Sequence, residues 1–340
     1  VNVVIAGVSA AGLSAAEMLR RQGFDGRISL VGDEPALPYD RPPLSKEVLS
    51  GVWLPERVQL RDDAAIAGLE PDLRLGTAAI GADVRDRSIA LADGSRLPHD
   101  ELVVATGVRP RRLPGTDDVP GVHVLRTLPD ALAPRAELDH KPRLVIVGAG
   151  FLGAEAAAVA RQAGAEVTLV SDIEAPLSDV LGPELGSILI GMHRDHGVEI
   201  LTGVLVREVL TAGGRAAGVR LADGRVLEAG AVLVSIGSVP NVELHGGGPQ
   251  PARRAEAVRP GALHLVRPVR PQDPDLRPAP RRRQLHGGRR RRLRTQTRCP
   301  VRKTGRGQCR GPVNSIRSPR AARALVGTSW DAATKGGAIR

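Results

Sequence analysis

A chain of 340 residues, 42% of them apolar, is long enough for two domains with cores of their own, and its two cysteines are too few for a disulfide framework. The formal net charge of +11 conceals two unlike parts: residues 1–244 hold 24 Lys and Arg against 33 Asp and Glu, while the last 96 residues hold 24 against 4. No uncharged apolar run of 18 residues occurs and no signal-like stretch opens the chain, so no membrane partner is expected and a cytoplasmic protein is the default.

Val1–Ala6 reads as a buried strand, Leu13–Gln22 as a helix and Arg27–Val31 as the next strand, which makes a βαβ opening. A polar, Pro-rich stretch, DEPALPYDRPPLSKE, follows, and the Asp93-Gly94 hairpin signal then leads into the apolar strand ELVVAT. The plan repeats. Arg143–Val147 is a strand, Leu152–Ala163 a helix, Ala165–Val170 a strand, Asp223-Gly224 a hairpin turn and AVLVSIG a final strand. LADGSRLPHDELVVATGVRP and LADGRVLEAGAVLVSIGSVP align without a gap, with thirteen positions from Gly94 to Gly107 and thirteen from Gly224 to Gly237. The period is far above the roughly 20–50 residues of repeat arrays, so this is a duplicated domain and not a solenoid.

From His245 on the pattern stops. Only 14 of 96 residues are Leu, Ile, Val or Phe, 11 are Pro, and both cysteines, Cys299 and Cys309, lie there. Such a segment buries too little surface to offset its ordering entropy, so residues 245–340 are expected to be disordered.

Gly148, Gly150 and Gly153 form G-x-G-x-x-G directly after a strand and at the start of a helix, with Phe151 and Leu152 in the gaps. The first Gly permits the tight turn, the second lets backbone approach a pyrophosphate, and the third allows close packing of helix on strand. The helix N-terminus supplies free N–H groups to the anion. The first copy reads Gly7, Ser9, Ala10, Ala11, Gly12, and a Ser hydroxyl in the middle place can itself donate to a phosphate. A purely structural Gly-rich turn is the alternative for the second copy. Glu34 lies just past the second strand, where an acid accepts hydrogen bonds from a ribose hydroxyl pair, a solvated loop acid being the alternative. In the second copy the corresponding acid is missing: Ser171 ends that strand and Asp172 follows, which weakens the usual argument for NADH, yet no Arg follows to receive a 2′-phosphate, so both NADH and NADPH stay open, with NADH favoured. The fold class that follows is α/β, two Rossmann-like dinucleotide-binding domains of the three-layer ββα type. His99, His123, His140, His193 and His196 fall in loops or on helix surfaces and are expected to have no catalytic role; nothing implies a resident metal.

GVSAAGLSAAEMLR, PYDRPPLSKEVLSG, VVATGVRPRRLPG, LRTLPDA, VIVGAGFLGAEAAAVAR and SIGSVPN together resemble the FAD-dependent NAD(P)H:ferredoxin reductases of bacterial oxygenase systems, of the putidaredoxin reductase and biphenyl dioxygenase reductase type, in the pyridine nucleotide-disulfide oxidoreductase superfamily. The resemblance covers roughly residues 1–243 and implies that the first unit holds FAD and the second NAD(P)H. It divides the chain into residues 1–115 for FAD, with 230–244 returning to that unit, residues 116–229 for NAD(P)H, and the tail 245–340. It also implies that Arg41 and Lys46 lie against FAD, with Lys46 near the flavin ring and paired with Glu155; ordinary surface charges are the alternative. Ala105, Thr106 and Gly107 end a strand where the chain passes close to the flavin, and Ile236 and Gly237 do the equivalent in the second copy.

Disulfide reductases of this fold need a Cys pair beside the flavin and peroxidase-type members a single Cys, and residues 1–244 contain none. Electrons must then leave the flavin directly, to a ferredoxin-type iron–sulfur protein. Rubredoxin reductases, the flavin component of nitrite reductase and apoptosis-inducing-factor-like proteins share much of the signature and remain alternatives. The resemblance also implies an Ala-Gly-Asp motif whose Asp holds the ribityl chain, yet no Gly-Asp pair follows Leu244. Arg, Pro, Gly and Ala are residues of GC-rich codons, which points to a shifted reading frame in the tail. The competing reading, a basic arm for nucleic acid, is disfavoured because Trp330 is the tail's one aromatic and no amphipathic period is present.

Overall fold

The structure is a computed structural model that describes residues 1–245 and the strand His264–Val266. Each half opens on a five-residue strand apolar on both faces, Asn2–Ala6 and Arg143–Val147. A two-residue period sorts those faces into different layers. Val3 and Ile5 pack with Ala15 and Ala16 of the helix Ala10–Arg21, whereas Val4 and Ala6 pack with Ile89, Leu91 and Leu97 of an antiparallel sheet. In the second half Leu144 and Ile146 meet Ala156, Ala157 and Ala160 of the helix Phe151–Gln162, and Val145 and Val147 meet Val206, Val219 and Leu221. Helix, parallel sheet and antiparallel sheet thus make the three layers expected of each copy.

The first parallel sheet runs His264–Val266, Glu101–Val104, Asn2–Ala6, Arg27–Val31, Pro71–Arg74; the second runs Val122–His123, Ala231–Val234, Arg143–Val147, Glu166–Val170, Glu199–Leu201. The order matches strand for strand. Only the outer partner differs: Val122–His123 is parallel to its neighbour, while His264–Val266 is antiparallel, Leu265 facing Val103 in the ladder. An antiparallel ribbon of Val108–Pro110 with Ser238–Pro240 carries both chain crossings between the halves.

Three expectations are corrected. The tail was expected to lack structure throughout, but His264–Val266 forms a strand; Glu101–Val104 would otherwise present an open row of backbone donors and acceptors, and a short apolar segment satisfies it. The rest of the tail lies outside the described residues, as does any sign of a shifted frame. The return to the first unit does not begin at residue 230, because Ala231–Val234 hydrogen-bonds to Arg143–Val147 inside the second sheet. It begins at the ribbon, and Leu244 then joins the cluster around Val4 and Ile89. Two histidines are neither in loops nor on helix surfaces: His193 is 6% exposed, on the inner side of the helix Pro183–Asp195, and His123 lies in the strand Val122–His123.

The Pro-rich stretch after Arg27–Val31 is not a solvated loop. Its prolines start a 3-10 turn, Pro42–Ser45, and Tyr39, Leu44, Val48 and Leu49 are buried against Leu144, Ile146, Ala156 and Ala160 of the other half. At about 1.5–3 kcal/mol for each fully buried apolar side chain, this shared cluster is a major term holding the halves together.

Candidate functional site

The glycine turns at the two strand ends are built alike. Gly7 (φ +112°) and Gly148 (φ +105°) adopt a backbone that side chains avoid, and a Cβ on either would run into the carbonyl of Ala105 or Ser235 on the neighbouring strand. A Cβ on Gly12 or Gly153 would meet the carbonyl of Gly7 or Gly148, so the third position sets the approach of helix to strand. The middle position behaves differently. Gly150 has an ordinary φ of −75° and nothing within 4 Å of where its Cβ would stand. Neither strain nor packing calls for glycine there, and the space beside it is open. Ser9 holds the matching N-cap place in the first half, and its hydroxyl caps no backbone N–H.

A cleft at the first turn is lined by Gly7, Val8, Ser9, Glu34, Arg41 and Ala105–Val108, and also by Arg126, Thr127 and Asn241. Arg41 Nη2 donates to Glu34 Oε1 at 2.6 Å, Arg41 Nη1 to the Arg126 carbonyl at 2.7 Å, and the Tyr39 hydroxyl donates to Glu34 Oε2. The Tyr39 hydroxyl in turn accepts from the Leu128 N–H at 3.0 Å. Burial, and then the hydrogen bond to Glu34, raise the Tyr39 pKa above the usual phenol range, so the phenol stays a donor. Burial, reinforced by Arg41, lowers the Arg126 pKa. Glu34 is thus held by Tyr39 and Arg41, and each of its oxygens keeps a further lone pair for a ribose hydroxyl. Arg41 Nε is buried without a protein partner among the described residues. An unsatisfied guanidinium N–H beside open helix amides suits an anionic dinucleotide, so the residues present fit such a group.

Lys46 and Glu155 come together from opposite halves: Lys46 Nζ lies 3.0 Å from Glu155 Oε2, each side chain 35% exposed. Ser45 Oγ donates to the same oxygen at 2.6 Å. Thr106 and Asn241 exchange bonds, Thr106 Oγ1 to the Asn241 carbonyl at 2.6 Å and Asn241 Nδ2 to the Thr106 carbonyl at 3.0 Å, while the Asn241 N–H reaches the Gly107 carbonyl at 3.0 Å. These bonds fix the strand end beside the cleft. Ser235 stands where Ala105 does in the first half and donates to the Gly148 carbonyl at 2.8 Å, with Ile236 and Gly237 following it. Ser171 is buried, its hydroxyl accepting from the Ile173 N–H at 3.2 Å; Asp172 is exposed. Ala10, Ala11 and Phe151 are exposed at the two helix starts, and Leu152 is half-buried.

Sequence reasoning missed Arg126, Thr127, Asn241, Tyr39 and Ser45 as parts of the site. Thr127 could have been found, because Thr127-x-x-Asp130 is a capping-box spacing that opens the helix Leu128–Leu138. For Asn241 the only signal is its position after the repeated Gly-x-x-Pro.

Two parallel sheets of identical order, each with a glycine turn at the same strand end, define a double Rossmann-type α/β protein. The chain belongs to the pyridine nucleotide-disulphide oxidoreductase family, whose profile matches residues 1–256. It is 39% identical over 244 residues to rhodocoxin reductase of Rhodococcus erythropolis, covering 72% of this chain and 57% of that one. To the ferredoxin–NAD(+) reductase component of the p-cumate 2,3-dioxygenase system of Pseudomonas putida it is 42% identical over 246 residues, covering 71% and 59%. The crystal structure of the covalent putidaredoxin reductase–putidaredoxin complex superposes with a TM-score of 0.69 at 37% identity, over 72% of this chain and 60% of that one. The chain spans about three fifths of the length of these relatives.

Proposed function

We propose that this chain is the two-nucleotide portion of a flavoprotein reductase that takes electrons from NAD(P)H through FAD to a ferredoxin-type iron–sulfur protein. The observation that carries this reading is the Lys46–Glu155 pair, which sets an ammonium at the junction of two units that each have a dinucleotide turn. The first unit, residues 1–115 with the return after the ribbon, would hold FAD through the amides of Ser9, Ala10 and Ala11, through Glu34, Arg41 and Arg126, and along Ala105–Gly107. The second would hold NAD(P)H through the turn at Gly148, Gly150 and Phe151–Gly153, beside Ser171, Asp172, Ile236 and Gly237.

The chemistry supplied by the bound flavin is acceptance of a hydride from NAD(P)H and release of single electrons. Lys46 would lie beside the flavin to offset the charge that the hydride brings, and Glu155, 3.0 Å from its Nζ, would hold it in place. Asp172 and Glu174 are exposed past the second strand, and their carboxylates would repel a 2′-phosphate, which favours NADH. The names of the relatives support a ferredoxin-type acceptor, and the lack of Cys in residues 1–244 supports direct exit of electrons from the flavin. Among the described residues no helix is long and apolar enough to cross a membrane, and we place the protein in the cytoplasm.

The test is reconstitution with FAD followed by anaerobic addition of NADH. The flavin absorbance should bleach, and a [2Fe–2S] ferredoxin should then be reduced. Lys46→Ala should slow the bleaching about a hundredfold, the scale of losing one electrostatic contact to developing charge, with FAD still bound. A chain that takes up FAD but is not bleached by NADH or NADPH would overturn the reading.

A further inference from the structure

Lys46 and Glu155 are both long side chains, each about a third exposed, and an ion pair of that kind is loosely held by itself. Ser45 changes this. It is 2% exposed, at the last position of the 3-10 turn Pro42–Ser45, and its short side chain has one torsion. Its hydroxyl has a single proton and two acceptors in view: Glu155 Oε2 at 2.6 Å and the Pro42 carbonyl at 3.5 Å. The shorter and charge-assisted bond takes the proton. Ser45 and Lys46 therefore converge on one carboxylate oxygen, and Glu155 Oε1 makes no hydrogen bond with the described residues. The carboxylate belongs to the helix Phe151–Gln162 of one half and both donors to the loop of the other, so the hydroxyl bridges the halves as well as orienting the acid.

We propose that Ser45 is a positioning residue for hydride transfer: it fixes the Glu155 carboxylate, and through it the Lys46 ammonium, independently of where the lysine chain swings. Ser45 touches neither reactant; it acts through Glu155. This rests on the function proposed above for the Lys46–Glu155 pair. The buried hydroxyl does what the exposed lysine cannot, because it holds one rotamer of the acid with little loss of side-chain entropy.

A mutant cycle on the full chain separates this role from mere packing. Ser45→Ala should lower kcat for NADH-dependent flavin reduction about tenfold, the rate equivalent of one hydrogen bond to a charged group, with KM for NADH and affinity for FAD within about twofold of wild type. Ser45→Cys keeps the volume with a weak donor and should behave like Ser45→Ala, while Ser45→Thr should restore most of the rate. In a Glu155→Ala background, Ser45→Ala should cost nothing more in kcat. A second readout needs no cofactor. In thermal unfolding of the apo chain, Ser45→Ala and Glu155→Ala should each lower Tm by about 3 °C, and the double variant should fall no further than the worse single one. Additive losses in both cycles, or a Ser45→Ala enzyme with wild-type kcat, overturn the proposal. If no variant and no wild-type chain is reduced by NAD(P)H, the function proposed above has failed, and the apo unfolding cycle still decides whether Ser45 clasps Glu155.

Discussion

The two halves of the chain share a sheet order, a glycine turn and a closing Gly-x-x-Pro, and they part company just after the second strand. In the first half that point launches residues 32–70, which bring Glu34, Tyr39 and Arg41 to the cleft and then bury Leu44, Val48 and Leu49 in the other half. In the second half the same point spends its polar group internally, Ser171 on the Ile173 N–H, and leaves Asp172, Ile173 and Glu174 exposed. One copy wraps its glycine-turn cleft in a charged, hydrogen-bonded loop and the other leaves the same point exposed. Under the function proposed above, a resident cofactor would suit the first arrangement and a diffusing one the second.

The largest expected effects strike what the halves have in common. Gly7→Ala and Gly148→Ala each force a Cβ into a neighbouring strand carbonyl at positive φ, and each should cost about 3–5 kcal/mol in urea unfolding. Gly150→Ala meets nothing within 4 Å and should leave stability within about 0.5 kcal/mol of wild type, while weakening NAD(P)H about tenfold. If Gly150→Ala proves as unstable as Gly148→Ala, the middle glycine serves the fold and not the ligand.

Acid should separate the copies next. His193 on the helix Pro183–Asp195 has its pKa lowered from 6.5 to about 4 by burial, whereas burial lowers the pKa of His99 in the first half less far. Below pH 6.5 the unfolded chain takes up a proton that the folded chain refuses, so this stability is complete above pH 6.5 and lost as pH falls towards 4. The loss should reach about 3 kcal/mol near pH 4, and His193→Leu should flatten that limb of the unfolding curve against pH.

The smallest effects concern the residues that distinguish the copies. Glu34→Gln removes the charge that Arg41 and Tyr39 hold and should weaken FAD about tenfold in a flavin titration. Ser171→Ala, whose hydroxyl serves only a local turn, should change KM for NADH by less than about twofold. Equal sensitivity at both positions would remove the contrast.

The three central strands of each parallel sheet were legible in the sequence because they are apolar on both faces and the glycines fall at fixed offsets, whereas the outer strands Pro71–Arg74, Val122–His123 and Glu199–Leu201 are short and carry polar residues, so they left no such signal. Val3–Ala6 and Leu144–Val147 are short β-branched-rich runs that end at a glycine turn, a pattern that reads as a buried parallel strand. The Lys46–Glu155 contact came from resemblance alone, since a separation of over a hundred residues leaves no local trace. Helix Leu128–Leu138 escaped notice because Pro129 and Pro134 lie in it; its capping box was the stronger signal, and Pro129 occupies the first turn where proline is tolerated. Helix Pro183–Asp195 carries Gly186 and Gly191, which dilute the apolar period. The burial of Tyr39, Leu44, Val48 and Leu49 was hidden by their polar neighbours, because a 3-10 turn presents neither a period of 2 nor one of 3.6.

Through the buried apolar surface of that loop the later copy is tied to the earlier one. Cut out as a separate module, it would show water a bare apolar hollow floored by Leu144, Ile146, Ala156 and Ala160, and it should aggregate where the joined halves stay dissolved. A calorimeter should accordingly record a single melting peak for both halves.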